Sequence, residues 1–147
     1  MSFSYATPGS GPSAGGIGWF NFGNITLNPG DSLTGLTGTL NDGSTVTFDI
    51  KSLPTSLTRF DAVATPQGYF GFGAYTGILG NVALYTPILS AYPTPSTLVV
   101  SNIVVKDPGG NIVTNYTAVV ADAESTNSFP QYTESWNFNT NGGAWAL

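Results

Sequence analysis

The chain has 147 residues, enough for one domain with its own core, and only 7% of them are charged. The net charge of -5 would repel a phosphate backbone, which argues against nucleic acid as a partner. Histidine and cysteine are both absent, which excludes Ser-His-Asp and Cys-His catalysis within one chain, imidazole or thiolate metal sites, and disulfides.

The N-terminus is predicted to be an arm, residues 1–16, ahead of a domain that spans residues 17–147. The arm begins with MSFSYA, which alternates aromatic and small residues, and continues as the Gly/Pro/Ser-rich linker TPGSGPSAGG. Two interpretations are open: a disordered tail, or a strand that pairs with an open sheet edge, including that of a neighbouring copy. In the second, Phe3 and Tyr5 are candidate subunit contacts. The arm lacks the basic start and apolar centre of a signal peptide, and no apolar run in the chain is long enough to span a bilayer.

A hairpin is the clearest structural signal. Residues 17–27 (IGWFNFGNITL) open the domain, and NPGD at residues 28–31 predicts a turn. Residues 32–40 alternate so as to leave one mostly apolar face, which contains Leu36. The following Asp42-Gly43 favours a type I′ turn, because both residues tolerate positive φ. The second strand, residues 44–51, is predicted to direct alternate side chains to opposite faces. Val46, Phe48 and Ile50 are expected to point into the core, and the side chains expected to point outward are Thr45, Thr47, Asp49 and Lys51.

The middle of the chain is rich in glycine and aromatic residues (QGYFGFGAYTGILGNVALY). Glycines between aromatics are typical of bulges and sharp bends in a twisted sheet. The alternative is an exposed aromatic platform that stacks on sugars or contacts a partner protein. The candidate contact residues in that case are Tyr69, Phe70, Phe72 and Tyr75.

The second half continues the β pattern. Residues 97–105 are apolar on both faces, as expected of a central strand, and KDPGGN predicts a turn into a strand over residues 112–121. About ten short strands, with no convincing helical periodicity, predict an all-β fold: an antiparallel β-sandwich or jelly roll, lectin-like, with a short N-terminal extended arm. The tryptophans Trp19, Trp136 and Trp145 are expected to fill its core.

Two carboxylates follow the strand predicted over residues 112–121, ahead of a loop and a second aromatic strand. Asp122 and Glu124 follow Tyr116 and Ala118 on one face, with Cα atoms roughly 6.6 Å apart. Three roles are open. The favoured one is structural, accepting hydrogen bonds from turn amides and hydroxyls. The second is calcium binding by Asp122, Glu124, Asn127 and Asp107 together with loop carbonyls. The third and least favoured is a glycosidase pair, formed by Asp122 with Glu124 or by either of them with Glu134 across strands.

The segment NIVVKDPGGNIVTNYTAVVADAEST, followed by Trp136 and TNGGAW, has a specific order and spacing. With GWFNFGNITLNPGDSLTGLTGTLNDGSTVTFDI, it resembles the non-repetitive, lectin-like adhesive domain of the streptococcal CshA-type fibrillar surface adhesins, over about residues 17–147. The resemblance implies a β-sandwich on a bacterial surface that attaches to host proteins, other cells or glycans. It identifies no ligand residues, because the matching segments look like framework.

We therefore expect a non-enzymatic, extracellular adhesive or structural protein of a bacterial cell or spore surface. Its expected partners are protein or glycan ligands and other copies of itself, joined into a fibre through the N-terminal strand. Neither nucleic acid binding nor membrane insertion is expected, and no cofactor is required, although calcium is possible. The alternative function is a monomeric, calcium-assisted carbohydrate-binding lectin, and a glycoside hydrolase is the least favoured.

Overall fold

The computed structural model describes residues 2–5, 20–64, 82–85, 95–118, 137 and 139–143. These residues contain no helix, and hence none long and apolar enough to cross a membrane. Their strands are, in chain order, β1 (Ser2–Tyr5), β2 (Phe20–Asn21), β3 (Thr26–Leu27), β4 (Ser32–Thr39), β5 (Thr45–Ser52), β6 (Phe60–Ala64), β7 (Val82–Tyr85), β8 (Leu98–Lys106) and β9 (Ile112–Val113). The prediction of an all-β protein is confirmed.

The strands form two sheets. The large sheet has the order β2-β1-β4-β5-β8-β9, and the small sheet has the order β3-β6-β7. Within both sheets, neighbouring strands are antiparallel except β1 and β4, which are parallel. The stretch predicted over residues 17–27 supplies one strand to each sheet, because the chain turns between β2 and β3 at Gly23, where φ is 65°.

Both sheets contribute to one hydrophobic core. Leu27 and Phe60 are paired on β3 and β6, and they join Leu36 and Ile50 of the large sheet. Leu27, Leu36 and Ile50 are at most 1% exposed. Burying a side chain of this size contributes about 1.5–3 kcal/mol to folding. The core therefore fixes the large sheet against the small one, as a β-sandwich requires.

The predicted hairpin is confirmed as β4 and β5, with Val46, Phe48 and Ile50 buried. The predicted turn type is wrong. The Gly43 amide donates to the Leu40 carbonyl at 3.0 Å, the Leu40 amide donates to the Ser44 carbonyl at 2.7 Å, and within the turn only Gly43 has positive φ, at 85°. This is a three-residue loop with one left-handed residue. Asp42 does not have positive φ, and its carboxylate accepts hydrogen bonds from the amide and hydroxyl of Ser44.

The turn predicted after β8 is also confirmed. The Gly110 amide donates to the Asp107 carbonyl, and the Asp107 amide donates to the Asn111 carbonyl, both at 2.9 Å. Gly110 has a φ of 85°, so this loop repeats the geometry of the β4–β5 loop. The two loops lie side by side, since a Cβ on Gly43 would be 3.5 Å from Pro108.

Two β-bulges flank β5. In β4 the register shifts between Leu33 and Leu36, and Gly35 has a φ of 62°. In β8 one extra residue lies opposite the 47–49 stretch of β5, and Asn102 has a φ of 54°. The strict alternation predicted for residues 32–40 is therefore wrong. Leu33 and Leu36 both pack against the core, because the extra residue between them restores their common face.

The predictions for residues 97–121 are only partly correct. Strand β8 confirms the predicted strand and lies between β5 and β9, but Val99, Val100 and Val104 are 37–48% exposed, so it is not buried on both faces. Of the strand predicted over residues 112–121, the described part is 112–118; it pairs at Ile112 and Val113, and residues 114–118 are not in a strand. Pairing ends near the β8 bulge, where the extra residue disrupts the ladder.

Candidate functional site

The N-terminal strand β1 lies in the interior of the large sheet. On one side it pairs antiparallel with β2, where Ser4 is opposite Asn21. On the other side it pairs parallel with β4, where Phe3 is opposite Gly38. Among the described strands, β2 has no other neighbour in this sheet. Strand β1 therefore joins β2 to the rest of the sheet, and we call the space between β2 and β4 the β1 slot.

Both walls of the β1 slot are attached to the core. Phe20 of β2 packs against Phe48 of β5, with ring centroids 5.8 Å apart and planes tilted by 49°. On the other wall Gly38 is buried, and the hydroxyls of Thr37 and Thr47 lie 3.2 Å apart in a hydrogen bond. A glycine inside a strand is typical of sites where another backbone approaches closely. The slot therefore presents two positioned backbone edges to an incoming strand.

The connection from β1 to β2 is much longer than the gap that it closes. Tyr5 and Phe20 are direct partners, so their Cα atoms are about 4.5–5.5 Å apart. Two residues are enough to connect antiparallel neighbours of this kind. The chain instead has fourteen, residues 6–19, whose fully extended length would be roughly 50 Å. This length would allow β1 to reach a sheet other than its own.

Residues 2–5 of the predicted arm form a strand, and this strand lies in the chain's own sheet; residues 6–16 lie outside the described residues. The arm candidates Phe3 and Tyr5 lie opposite Gly38 and Phe20. Their role as subunit contacts stays a prediction. Sequence reasoning named the arm but missed the slot; Gly38, inside a predicted strand on its apolar face, was the available signal.

The outward face of the large sheet is lined by hydroxyl and aliphatic side chains. One row across it consists of Thr37, Thr47 and Val104, which are register partners on three neighbouring strands. The face also carries two of the three cations of the chain, Lys51 and Lys106. Such a surface can bind a partner through van der Waals contacts and hydrogen bonds.

Asp49 is the one carboxylate on strands β4, β5 and β8. Its Oδ1 accepts a hydrogen bond from the Gly35 amide at 2.7 Å, and its Oδ2 accepts one from Asn102 Nδ2 at 2.6 Å. The Asn102 bond, followed by the Gly35 bond, lowers the pKa of Asp49 below its usual value of 3.8. With both oxygens engaged, Asp49 links two bulges and does not act as a free acid.

Asp61 is held in the same way on the small sheet. It accepts hydrogen bonds from Arg59 Nε at 2.7 Å and from the Thr26 hydroxyl at 3.0 Å. The Arg59 hydrogen bond is the main cause that lowers the pKa of Asp61. Because Arg59 is largely exposed, the pair is a surface ion pair that contributes little by itself.

Asp107 was a possible member of the predicted calcium shell. Its Oδ1 accepts from the Asn111 amide at 2.8 Å, and its Oδ2 accepts from Asn111 Nδ2 at 3.0 Å. The Asn111 side chain is the largest cause of the lowered pKa of Asp107. These hydrogen bonds give Asp107 a structural role in its own turn. In the part of the chain that the structure describes, no three acidic side chains are grouped to hold a metal.

Several predicted site residues lie outside the described residues. They are the carboxylates and amide of the last third of the chain and the aromatics of its middle: Asp122, Glu124, Asn127, Glu134, Tyr69, Phe70, Phe72 and Tyr75. The same is true of Trp19, Trp136 and Trp145. Their predicted roles in structure, calcium binding or ligand contact stay predictions.

A comparison with protein families supports the resemblance noted from the sequence. The family model described as the surface adhesin CshA non-repetitive domain 2 matches residues 15–147. No curated protein and no solved structure matches the chain. The matched span includes every described strand except β1, which precedes it. The strand in the slot is therefore supplied from outside the matched domain.

Proposed function

Since the chain belongs to the family of the surface adhesin CshA non-repetitive domain 2, we propose that it is a non-enzymatic attachment protein of a bacterial cell or spore surface. The family supports a surface adhesin role and an extracellular or cell-surface location. In the proposal, the domain attaches to protein or glycan ligands. Copies of it join into an extracellular fibre through the N-terminal strand.

The observation that carries the assembly part is the position of β1. A segment ahead of the family domain, on a long Gly/Pro/Ser-rich connection, supplies an interior strand of the large sheet. Exchanging an identical element between copies costs little free energy, because each exchanged strand makes the same contacts in the neighbouring copy that it makes in its own chain. The low charge of the chain also suits close packing of copies, since each charge buried between them would need a partner.

Electron microscopy of the purified protein tests the assembly part. The full chain is expected to form fibres when concentrated, and a variant that lacks residues 1–16 is expected not to. Circular dichroism of the shortened protein shows whether it keeps its β-structure, and a variant with Phe3→Asp and Tyr5→Asp in the full chain provides a second, gentler disruption. Fibres of either folded variant that match those of the full chain would show that the arm is not the linker.

The ligand part has its own test. The full chain, carrying a fluorescent label, is applied to a glycan array and to immobilised extracellular glycoproteins. Binding that is lost on replacing Tyr69, Phe70, Phe72 and Tyr75 by serine would support the aromatic platform. Leu57→Ser is the matched control, because Leu57 is 62% exposed and lies outside the candidate region. Binding that is unaffected by the aromatic replacements would contradict the aromatic platform and would favour ligand contact at the outward face around Thr47 and Val104.

A further inference from the structure

The β1 slot is filled by the N-terminal strand of the same chain. Strand β1 pairs with β2 on one side and with β4 on the other. We infer that the slot is a receptor for the N-terminal strand of a second copy, and that the strand of the chain itself acts as a plug that keeps it closed. This inference rests on the proposed assembly into fibres, and it adds the recipient site and a form of self-inhibition.

The connection makes both arrangements possible. Residues 6–19 would span roughly 50 Å when extended, whereas the partners Tyr5 and Phe20 are separated by about 5 Å. A connection of only two residues would restrict β1 to its own sheet. A Gly/Pro/Ser-rich connection of this length also keeps the strand near its own slot, at an effective concentration on the order of millimolar. Dilute protein is therefore expected to be closed, and crowded protein to exchange strands.

An empty slot would expose two unpaired strand edges. Without β1, β4 and β2 would each lose a hydrogen-bonded neighbour, and Gly38 would lose the strand that lies against its backbone. An unpaired edge of this kind favours pairing with another chain. The backbone polarity is also fixed, because β1 is parallel to β4 and antiparallel to β2.

The geometry of exchange predicts an open chain of copies. The donor is the N-terminal strand, and the acceptor is the β2–β4 slot, so donor and acceptor are different parts of the surface. A head-to-tail contact between different patches continues from copy to copy unless the rotation happens to close a ring. Each copy would thus be completed by its neighbour, with one empty slot at one end of the fibre.

Cysteine cross-linking tests this directly, because the chain has no cysteine of its own. Ser4 and Asn21 are antiparallel partners, and their Cα separation suits a disulfide. One full-length protein carries Ser4→Cys, and another carries Asn21→Cys. The two are mixed at high concentration and oxidised with glutathione disulfide. The control pair is Ser4→Cys with Ser101→Cys, since Ser101 is exposed on β8, away from the slot.

We expect the Ser4→Cys and Asn21→Cys proteins to form a disulfide-linked heterodimer. Its yield should rise with protein concentration and clearly exceed the yield from the control pair. Equal yields from the two pairs would overturn the inference. Fibres that form without this cross-link would also overturn it, while leaving the proposed function standing. Heterodimers that form without fibres would support the slot as receptor and would count against the proposed fibre.

A double variant tests the plug. Ser4→Cys and Asn21→Cys in one chain, oxidised when dilute, lock β1 into its own slot. The locked protein is expected to remain monomeric on concentration, and reduction of the disulfide is expected to restore assembly to the level of the unmodified chain. Fibres formed equally well by the locked and the reduced protein would show that exchange of β1 is not required.

Discussion

Asp49 accepts a hydrogen bond of 2.7 Å from the amide of Gly35, and this bond holds a bulge in the strand beside it. The other oxygen of Asp49 accepts from Asn102 at 2.6 Å, at the bulge in the strand on the opposite side. Gly35 and Asn102 both have left-handed backbones. A single carboxylate in the middle of the large sheet thus stabilises irregularities in both neighbouring strands.

This relationship predicts the acid sensitivity of the protein. The pKa values of Asp49, Asp61 and Asp107 are lowered in the folded state, so the unfolded chain takes up their protons first as the pH falls. Their contribution to stability is fully present above about pH 5 and is lost as the pH falls through about 4 and below. The melting temperature, followed by circular dichroism, should therefore be lower at pH 3 than at pH 6.

Two variants connect this acid effect to Asp49. Asp49→Asn removes the titrating group, and Asn102→Gly keeps a left-handed backbone while it removes the main hydrogen bond that lowers the pKa. Both should be less stable at pH 6 and should lose less further stability between pH 6 and pH 3 than the parent. Acid profiles parallel to that of the parent would show that Asp49 does not contribute to the effect.

The bulge at Gly35 predicts a difference between two substitutions. A Cβ at this position would have no atom within 4 Å, so the cost of Gly35→Ala comes from the φ of 62° and not from crowding. The expected cost is about 1–2 kcal/mol in the free energy of unfolding. Gly35→Asn should cost less, because asparagine tolerates the left-handed region. Urea unfolding measures both, and equal costs would contradict the role of the backbone angle.

Two leucines provide a matched test of the core. Leu36 is fully buried between the sheets, whereas Leu57 is 62% exposed in a loop. Leu36→Ala should lower the free energy of unfolding by about 2–5 kcal/mol. Leu57→Ala should change it by no more than about 0.5 kcal/mol. Urea unfolding of the two variants measures this difference, and comparable losses would contradict the packing described above.

Chelation tests the calcium alternative. Asp107 accepts hydrogen bonds from Asn111 within its own turn, and the other carboxylate candidates are Asp122 and Glu124. We expect the melting temperature to be the same in EDTA and in millimolar calcium chloride. A bound ion would stabilise the folded state by about 2.7 kcal/mol at 100 times its dissociation constant. A melting temperature that is clearly higher in calcium chloride than in EDTA, with the difference abolished by Asp122→Asn, would contradict our expectation and favour the lectin.

The sequence predicted the parts of the fold that depend on local pattern. Alternation in residues 44–51 placed Val46, Phe48 and Ile50 inside, and the Asp-Gly and Pro-Gly-Gly sequences marked both tight loops. The same reasoning failed where an extra residue enters a strand. Alternation has a period of two, so the bulge between Leu33 and Leu36 changes which residues share a face. Gly35 was the local signal for this bulge, and the alternation pattern did not take it into account.

Of the candidate site, the sequence itself determined the arm: its aromatic residues, its long Gly/Pro/Ser-rich connection and its position ahead of the family domain. Only the tertiary structure decided where the arm binds. Strand β1 pairs in parallel with β4, and Phe3 is 35 positions away from its partner Gly38. The pattern of side chains along a strand does not reveal which strand its backbone will pair with. The partners of β1 are instead set by the positions of β2 and β4, which are fixed when Phe20 packs against Phe48 and Gly38 is buried.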